Sequence, residues 1–285
     1  MPPLSEDSGT LRGNIPTVTE PSPSHSRNDD FVWDTFNAAW YQEHNYGTLR
    51  PDDEEILRTV RDFFAAAYAE DRPVAKWHGI DVGPGANLYP SLSMVPFCES
   101  IRLHEYSESN VSWLRSAIDG GYGESWDAFW KILTDNPAYR AVDDPREALK
   151  KVASVNQDSV FRLDEVRVEG GSLLDLPTEH WDIGTMFFVA ESLTGEKSEF
   201  EKAVEKFVHS LRPRAPFAAA FMKDSAGYFV DGQRFPAVAI TDADVRQCLD
   251  SLASNVDVRV LGQDASLRAG YGGMIIATGR ASGDN

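Results

Sequence analysis

Residues 81–110, DVGPGANLYPSLSMVPFCESIRLHEYSESN, decide the fold of this chain. They begin where the apolar run Trp77–Val82 ends, and a Gly-Pro-Gly turn then leads into a helical stretch around Leu88–Phe97. Another apolar run, Ile101–Glu105, follows that stretch. A strand, a glycine-rich turn, a helix and a strand in this order predict a βα unit with two neighbouring parallel strands.

The rest of the chain continues this alternation. Further strands are predicted at Val160–Val168, Trp181–Val189, Phe217–Met222, Val256–Leu261 and Met274–Thr278. Apolar residues at helical spacing predict helices around Asp53–Ala69, Phe200–Leu211 and Asp242–Leu252. We therefore expect an α/β fold of the Rossmann-like kind, in which a mainly parallel seven-stranded sheet carries helices on both faces.

The predicted organisation is a single folded domain, residues 31–285, behind a disordered tail, residues 1–30. The tail is rich in Pro, Ser, Asp and Glu, so it cannot bury enough apolar surface to offset the entropy cost of ordering. It lacks the apolar core of a secretory signal, and no other stretch is long enough to span a membrane. Two helical parts, residues 31–70 and the insertion 119–158, fall outside the βα alternation. We expect a cytoplasmic protein without membrane contact.

Charge and composition weigh against several classes of function. The net charge of −18 disfavours nucleic-acid binding, because a phosphate backbone is bound through Lys and Arg. The histidines show no metal-ligand spacing, so no metal site is expected. Cys98 and Cys248 lack a CxxC pattern and are interpreted as reduced core thiols.

The glycine-rich turn predicts a nucleoside site. Gly83 and Gly85 let the backbone turn tightly and approach a ligand closely. Glu105 ends the second strand about twenty residues later, where a carboxylate can accept the hydroxyls of a ribose. A dinucleotide site needs a third glycine, and Leu88 stands in its place. With Asp81 suited to a methionine amino group, the pattern favours S-adenosylmethionine over NAD.

At this point the sequence resembles the nicotinamide, phenylethanolamine and thioether methyltransferase family. Its loop, an acidic residue followed by x-Gly-x-Gly-(small)-x-x-Tyr, is matched by residues 81–89, and its acidic-Tyr-Ser-x-x-Asn segment by residues 105–110. WDTFNAAWYQEHNYGTLRPDD, residues 33–53, resembles the family's Tyr-rich lid over the cofactor. GYFVDGQRFPAV, residues 227–238, resembles the segment that follows its fifth strand.

The resemblance implies a set of site residues. Cofactor-binding residues are expected to be Tyr41, Tyr46, Asp81, Gly83, Gly85, Tyr89, Glu105, Tyr106, Asn110 and Ser172. Ser172 is included because Gly171-Ser172 stands where the family has an acidic residue after its third strand. Acceptor-binding residues are expected to be Phe36, Trp40, Phe188, Arg268 and Tyr271. The aromatic residues of the lid could equally be a simple aromatic core.

Glu191 and Tyr228 are the expected catalytic residues. Glu191 follows the apolar run MFFVA, at the carboxyl end of a strand, where it could orient an amine and take its proton. The alternative is that Glu191 caps the next helix. The sequence thus favours an S-adenosylmethionine-dependent enzyme that methylates nitrogen in a small molecule of secondary metabolism, acting as a monomer or homodimer. Methylation of carbon, oxygen or sulfur in an aromatic acceptor, a non-catalytic S-adenosylmethionine binder and an NAD-linked oxidoreductase are the alternatives.

Overall fold

A computed structural model describes residues 26–163, 166–167, 173–174, 181–262 and 272–282 of the 285-residue chain. The strands are β1 Trp77–Val82, β2 Cys98–Glu105, β3 Ala153–Gln157, β4 Val166–Arg167, β5 Leu173–Leu174, β6 Ile183–Phe187, β7 Pro216–Met222, β8 Tyr228–Val230, β9 Gln233–Phe235, β10 Ala253–Leu261 and β11 Met274–Ala281. The helices are α1 Ala38–Tyr46, α2 Pro51–Asp71, α3 Tyr89–Met94, α4 Glu108–Gly120, α5 Ser125–Leu133, α6 Pro137–Arg140, α7 Pro145–Val152, α8 Lys197–His209 and α9 Asp242–Leu249.

Within the described residues, seven strands form one sheet in the order β10-β11-β7-β6-β1-β2-β3. The strand β11 runs antiparallel to both of its neighbours, and the pairs from β7 to β3 are parallel. The short strands β4 and β5 pair with each other, and β8 and β9 form a separate hairpin. This confirms the expected mainly parallel sheet, and it places the carboxyl ends of five strands at one edge.

Side chains that alternate along each strand feed two cores, one on each face of the sheet. In β7, Ala218 and Ala220 face a core that includes buried residues of α2, α3, α4 and α5. Phe217 and Phe221 face the opposite core, where the apolar stripe of α8 packs. Helices therefore cover both faces, as the βα alternation predicts. Every described helix is too short or too polar to span a lipid bilayer.

The third strand lies earlier in the chain than expected. The predicted strand Val160–Val168 is instead a 3-10 turn at Val160–Arg162 followed by the two-residue strand β4. The true neighbour of β2 is β3, which lies inside the predicted helical insertion 119–158. The reason is physical: β3 is an edge strand whose residues are exposed or only half buried, so it carries no apolar run to reveal it.

Some residues that precede position 31 also pack on the domain. Residues 1–25 lie outside the described residues, but Asn28–Asp30 form a 3-10 turn that is packed on the domain. The backbone N–H of Asn28 donates to Glu199 at 2.8 Å, and its side-chain nitrogen donates to the carbonyl of Leu193 at 3.1 Å. The contact could not be predicted from the polar composition of the segment, because hydrogen bonds rather than buried apolar side chains hold the segment in place.

Candidate functional site

A cleft opens at the edge of the sheet where β1, β2, β3 and β6 end. It holds about 830 Å³ of space, counting its open mouth. The loop after β1 forms the floor of the cleft. The residues that follow β2 and β3 form one end, and the residues that follow β6 form the other end. This is the edge at which parallel α/β sheets bind ligands.

The two glycines of the loop after β1 have different tasks. Both have left-handed backbone angles, with φ of 62° at Gly83 and 54° at Gly85. A Cβ on Gly83 would lie 2.6 Å from a methyl group of Val189, so this glycine lets the loops after β1 and β6 pack together. A Cβ on Gly85 would find its nearest neighbour, the side-chain nitrogen of Asn110, at 3.8 Å. Gly85 therefore keeps the floor of the cleft open.

Glu105, at the end of β2, is fixed by several hydrogen bonds at the wall of the cleft. One carboxylate oxygen accepts the N–H of Gly85 at 2.9 Å, and the other accepts those of Tyr106 and Ser107, each at 2.9 Å. The side chain of Asn110 donates to it at 3.4 Å. Burial raises the pKa of Glu105, and these donors oppose the rise. The result is a carboxylate held rigidly beside the glycine loop.

Two amide side chains on the cleft have buried atoms without a partner. The Nδ2 donor of Asn87 and the Oδ1 acceptor of Asn110 make no hydrogen bond with any described residue. Leaving a buried polar atom unpaired costs about 1–3 kcal/mol. A ligand with an acceptor near Asn87 and a donor near Asn110 would remove this cost.

The end of the cleft beside β2 and β3 is lined by His104, Tyr106, Asp158, Ser159 and Val160. Nε2 of His104 donates to the carbonyl of Ser159 at 3.1 Å, and burial lowers the pKa of His104. Asp158 follows β3 directly, and its carboxylate accepts the N–H of Ser159 at 2.8 Å and the guanidinium of Arg162.

Asp158 replaces Ser172 as the polar residue after the third strand. The prediction of Ser172 depended on a strand at Val160–Val168, and moving the strand to β3 moves its end to Asp158. Ser172 itself lies outside the described residues, as do the predicted acceptor residues Arg268 and Tyr271. The sequence signal that could have found Asp158 is the pair Gln-Asp that closes a polar edge strand before a turn.

The other end of the cleft is formed by the loop after β6, with Phe188, Val189, Ser192 and Leu193, and by Tyr228 of the hairpin. Phe188 has a φ of 60°, in the left-handed region that non-glycine residues rarely adopt. Strained backbone of this kind concentrates at ligand sites. Both Phe188 and Tyr228 were predicted as site residues, and the structure brings them together on one wall.

Glu191 lies in the same loop but not on the wall itself. It is fully buried, and one carboxylate oxygen accepts the N–H of Met222 at 2.9 Å and the hydroxyl of Ser192 at 3.1 Å. Its Oε2 has no partner among the described residues. Burial raises the pKa of Glu191 to about 7. The helix-capping alternative does not hold, because α8 begins at Lys197 with Glu196 as its N-cap.

Asp81 does not face the cleft as expected. Its two oxygens accept the hydroxyls of Ser91 at 2.5 Å and Thr185 at 2.8 Å, and the residue is fully buried. Burial raises the pKa of Asp81 to about 7. The cause is strand alternation, which places Val82 on the cleft and its neighbour Asp81 behind it.

Tyr89 and Trp40 are also away from the wall. Tyr89 is fully buried against Phe129, with ring centroids 5.6 Å apart, and its hydroxyl donates to Asp53 at 3.2 Å. Trp40 stacks on His44 at 4.5 Å. The predicted lid residues thus divide, with Phe36, Tyr41 and Tyr46 lining the cleft and Trp40 outside it.

A roof, defined as residues 33–46 and the hairpin residues 228–235, covers the cleft. Trp33 stacks on Phe235 with ring centroids 5.6 Å apart, and Phe36 meets the same ring edge-on at 5.2 Å. The side chain of Asn37 donates to Asp231 at 2.9 Å. The aromatic residues are therefore both lid and core, since they line the cleft and pack on one another. Lining residues that the sequence did not indicate include Asn28, Trp33, Asn87 and Asp158.

Among the described residues, no three His, Cys, Asp or Glu side chains are grouped to hold a metal ion. A model of the NNMT/PNMT/TEMT family matches residues 26–278. No curated protein matches the chain by sequence.

Several solved structures are similar to this one in overall fold. One is the N-methyltransferase NodS of Bradyrhizobium japonicum WM9 in complex with S-adenosyl-l-homocysteine, with 10% identity, a TM-score of 0.48, and 87% of this chain and 94% of that chain covered. Another is the 1,6-didemethyltoxoflavin-N1-methyltransferase of Burkholderia thailandensis, with 14% identity, a TM-score of 0.48, and 90% and 87% covered. The magnesium protoporphyrin IX methyltransferase of Synechocystis PCC 6803 has 14% identity and a TM-score of 0.45, with 84% and 88% covered.

Proposed function

The chain belongs to the NNMT/PNMT/TEMT family of S-adenosylmethionine-dependent methyltransferases, and on that premise we propose that it methylates a nitrogen atom of a small amine or N-heteroaromatic compound. The acceptor binds at the end of the cleft formed by the loop after β6 and by Tyr228. The cofactor occupies the floor and the end beside β2 and β3. When bound, S-adenosylmethionine supplies an electrophilic methyl carbon, and the protein has to align an acceptor atom with it.

The residues of the floor fit this cofactor. Glu105 is held by Gly85 at the position where it can accept ribose hydroxyls, and the unpaired Oδ1 of Asn110 adds a second acceptor beside it. Asp158 and Tyr106 line the next part of the cleft, where an adenine amino group would find a carboxylate and an aromatic ring. Hydrogen-bond acceptors of the protein therefore lie where the ribose and the adenine present their hydrogen-bond donors.

The observation that carries the proposed acceptor chemistry is the unpaired, fully buried Oε2 of Glu191. Glu191 adjoins the wall residue Ser192, and Tyr228 contacts the carbonyl of Ser192 through its hydroxyl at 3.4 Å. Burial first, and then nearby Tyr41 and Glu191, raise the pKa of Tyr228. In the proposed complex, an amine displaces the contact between Ser192 and Tyr228, behind which Glu191 lies, and supplies the N–H donor that Oε2 lacks.

For an acceptor that carries an N–H, a carboxylate at this place orients the nitrogen and takes up the proton that is released when the methyl group is transferred. Nitrogen must present a free lone pair to the methyl carbon, so holding its N–H leaves the lone pair directed at the cofactor. With a pKa of about 7, Glu191 can change protonation state near neutral pH. The described lining contains aromatic rings but neither Lys nor Arg, which suits a neutral or cationic acceptor better than an anionic one.

The proposal is tested by methyl transfer to a panel of aromatic amines and N-heteroaromatics, with phenols and thiols of matched size alongside. We expect Glu191→Gln to slow transfer to the best nitrogen acceptor by about a hundredfold. Affinity for S-adenosylhomocysteine, measured by calorimetry, should stay unchanged. Asp81→Asn is the matched control, because Asp81 is equally buried but has both oxygens engaged away from the cleft. Transfer to phenols or thiols alone, or a fully active Glu191→Gln enzyme, would overturn the proposal.

A further inference from the structure

We propose that Asp34 is a positioning residue that joins the two ends of the cleft. It acts through the amino-terminal strap, defined as residues 26–36, of which Asn28, Trp33 and Phe36 line the cleft. The inference rests on the proposed function, because it assumes that a nucleoside binds beside Glu105. A nucleoside at one end of the cleft fixes the strap, and the fixed strap orders the loop that forms the acceptor end.

Asp34 caps the helix α4 from a distant part of the chain. The first N–H groups of a helix have no partner within it, and the side chain of the preceding residue commonly accepts one of them. In α4 that residue is Ser107, whose hydroxyl donates to the carbonyl of Trp33 instead of capping the helix. The carboxylate of Asp34, 74 positions away in the sequence, accepts the N–H of Glu108, the first residue of α4, at 2.8 Å. The cap therefore fastens the strap as well as the helix.

Two hydroxyl groups at the start of α4 strengthen this attachment. Ser107 donates to the carbonyl of Trp33 at 3.0 Å, and Ser109 donates to that of Phe36 at 2.9 Å. The backbone N–H of the same Ser107 donates to Glu105 at 2.9 Å. The strap and the carboxylate proposed to bind the ribose are therefore attached to one residue.

The strap is also attached to the acceptor end of the cleft. The carbonyl of Ser26 accepts the N–H of Gly195 at 2.8 Å, and the side chain of Asn28 donates to the carbonyl of Leu193 at 3.1 Å. The indole N–H of Trp33 donates to the carbonyl of Asn28 at 3.1 Å. Trp33 therefore connects the two attachments, and the order at the start of α4 is passed through it to the loop after β6.

Ordering of the strap couples the two ends of the cleft. Fixing a segment costs conformational entropy, and the ligand that binds first bears most of this cost. A nucleoside that holds Glu105, and hence Ser107, in place leaves less of the cost for the acceptor. By reciprocity, a bound acceptor strengthens nucleoside binding by the same factor.

The test measures hydrogen exchange in the full-length protein, with and without saturating S-adenosylhomocysteine. Two peptides are followed, residues 26–37 of the strap and residues 190–199 of the acceptor loop, which include the N–H of Gly195. We expect S-adenosylhomocysteine to slow exchange in both peptides of the wild type. With the ligand bound, Asp34→Ala should exchange about fivefold faster in both, because a cap hydrogen bond is lost. Its affinity for S-adenosylhomocysteine, measured by calorimetry, should change less than about threefold.

Glu108→Pro separates the attachment of the strap from the stability of the helix. Proline is favoured at the first position of a helix, and the extended backbone of Ser107, with φ of −73° and ψ of 129°, suits the residue before a proline. The substitution removes the N–H that Asp34 accepts, so it should loosen the strap as Asp34→Ala does while α4 stays intact. Glu108→Ala is the matched control, since it removes the same side chain but keeps the N–H. Asp34→Asn keeps a cap oxygen and should exchange like the wild type.

Each outcome decides the role of Asp34. If the strap of Glu108→Pro exchanges as slowly as that of the wild type, Asp34 only stabilises α4 and the proposal is wrong. Faster exchange in the strap without a change in the acceptor loop would overturn the coupling, as would a wild type in which the ligand slows neither peptide. A loss of S-adenosylhomocysteine affinity above about tenfold in Asp34→Ala would make Asp34 part of the nucleoside site instead. A wild-type protein that does not bind S-adenosylhomocysteine would defeat the proposed function, and the ligand-free exchange of the variants would still test the attachment of the strap.

Discussion

The two ends of the cleft are built in different ways. At the nucleoside end, Glu105 and Asp158 directly end or follow adjacent parallel strands, and neighbouring backbone N–H groups hold them. At the acceptor end, the walls come from distant parts of the chain, and contacts such as that between Asn37 and Asp231, 194 positions apart, join them. The nucleoside end is therefore determined by the sheet, whereas the acceptor end depends on long-range packing, which can vary without altering the sheet.

The largest effect should come from filling the floor between the two ends. Gly85→Val places a branched side chain in the cleft, at a residue whose φ of 54° already disfavours it. We expect S-adenosylhomocysteine binding to fall below detection in calorimetry. Gly83→Ala should behave differently, since its Cβ meets Val189 inside the protein, and a lower melting temperature is expected. Tight binding by the Gly85→Val protein would show that this floor does not contact the nucleoside.

The buried carboxyl group of Glu191, at the acceptor end, should affect how the free energy of unfolding depends on pH. The native pKa of Glu191, about 7, lies above its ordinary 4.5, so its stabilising contribution is complete below about pH 4.5 and is lost as the pH rises through 7. Glu191→Gln lacks this loss. Its free energy of unfolding relative to wild type should rise between pH 5 and 8, by up to about 3 kcal/mol. Asp81 titrates in both proteins and cancels in the difference; a flat difference would mean that Glu191 has an ordinary pKa.

A smaller effect is expected from Asp158→Asn at the nucleoside end. The substitution keeps the size of the side chain but removes the charge that an adenine amino group would meet. We expect the affinity for both S-adenosylhomocysteine and adenosine to fall about tenfold. Asp182→Asn serves as a control, because Asp182 is bound to His78 and Arg212 and does not line the cleft. Unchanged affinity in Asp158→Asn would leave the adenine without its proposed carboxylate.

The smallest effect concerns the amino-terminal turn near the acceptor end. A protein that begins at residue 31 loses the hydrogen bonds that Asn28 makes with Glu199 and Leu193, and also those that the Ser26 carbonyl accepts from Gly195 and Thr194. The loss should lower the free energy of unfolding by about 1–3 kcal/mol. A protein that begins at residue 26 keeps them and should melt together with the full chain. Equal stability of the two truncated proteins in thermal melts would show that the turn contributes nothing to folding.

The sequence predicts what is local and repetitive. β1 and the glycine loop follow from an apolar run that ends in glycines, and Glu105 follows from its spacing. The edge strand β3 could not be predicted, because strand periodicity is visible only where one face is buried. That error displaced Asp158, since the residue can be recognised only by its place after the strand.

The direction in which a side chain points was the second feature that could not be predicted from the sequence. Asp81 and Tyr89 occupy the expected positions in the motif, but their partners, Thr185 and Asp53, come from other elements. The polar composition around Asn28 likewise did not reveal that this segment is packed, because its partners lie more than 160 positions away in the sequence. Position along a motif can be predicted from sequence, whereas the direction of a side chain depends on which neighbours tertiary packing supplies.

The roof has a consequence for the entry of substrate into the cleft and the release of product from it. Its two segments are bound to each other by the Trp33–Phe235 stack and by hydrogen bonds of Asn37 and Gln233. A product leaving through the roof would have to separate these contacts. Turnover limited by such an opening would slow in proportion to solvent viscosity, and sucrose titration of the steady-state rate would reveal it. The turnover rate would then be set by how often the two segments of the roof, which are distant in the sequence, separate from each other.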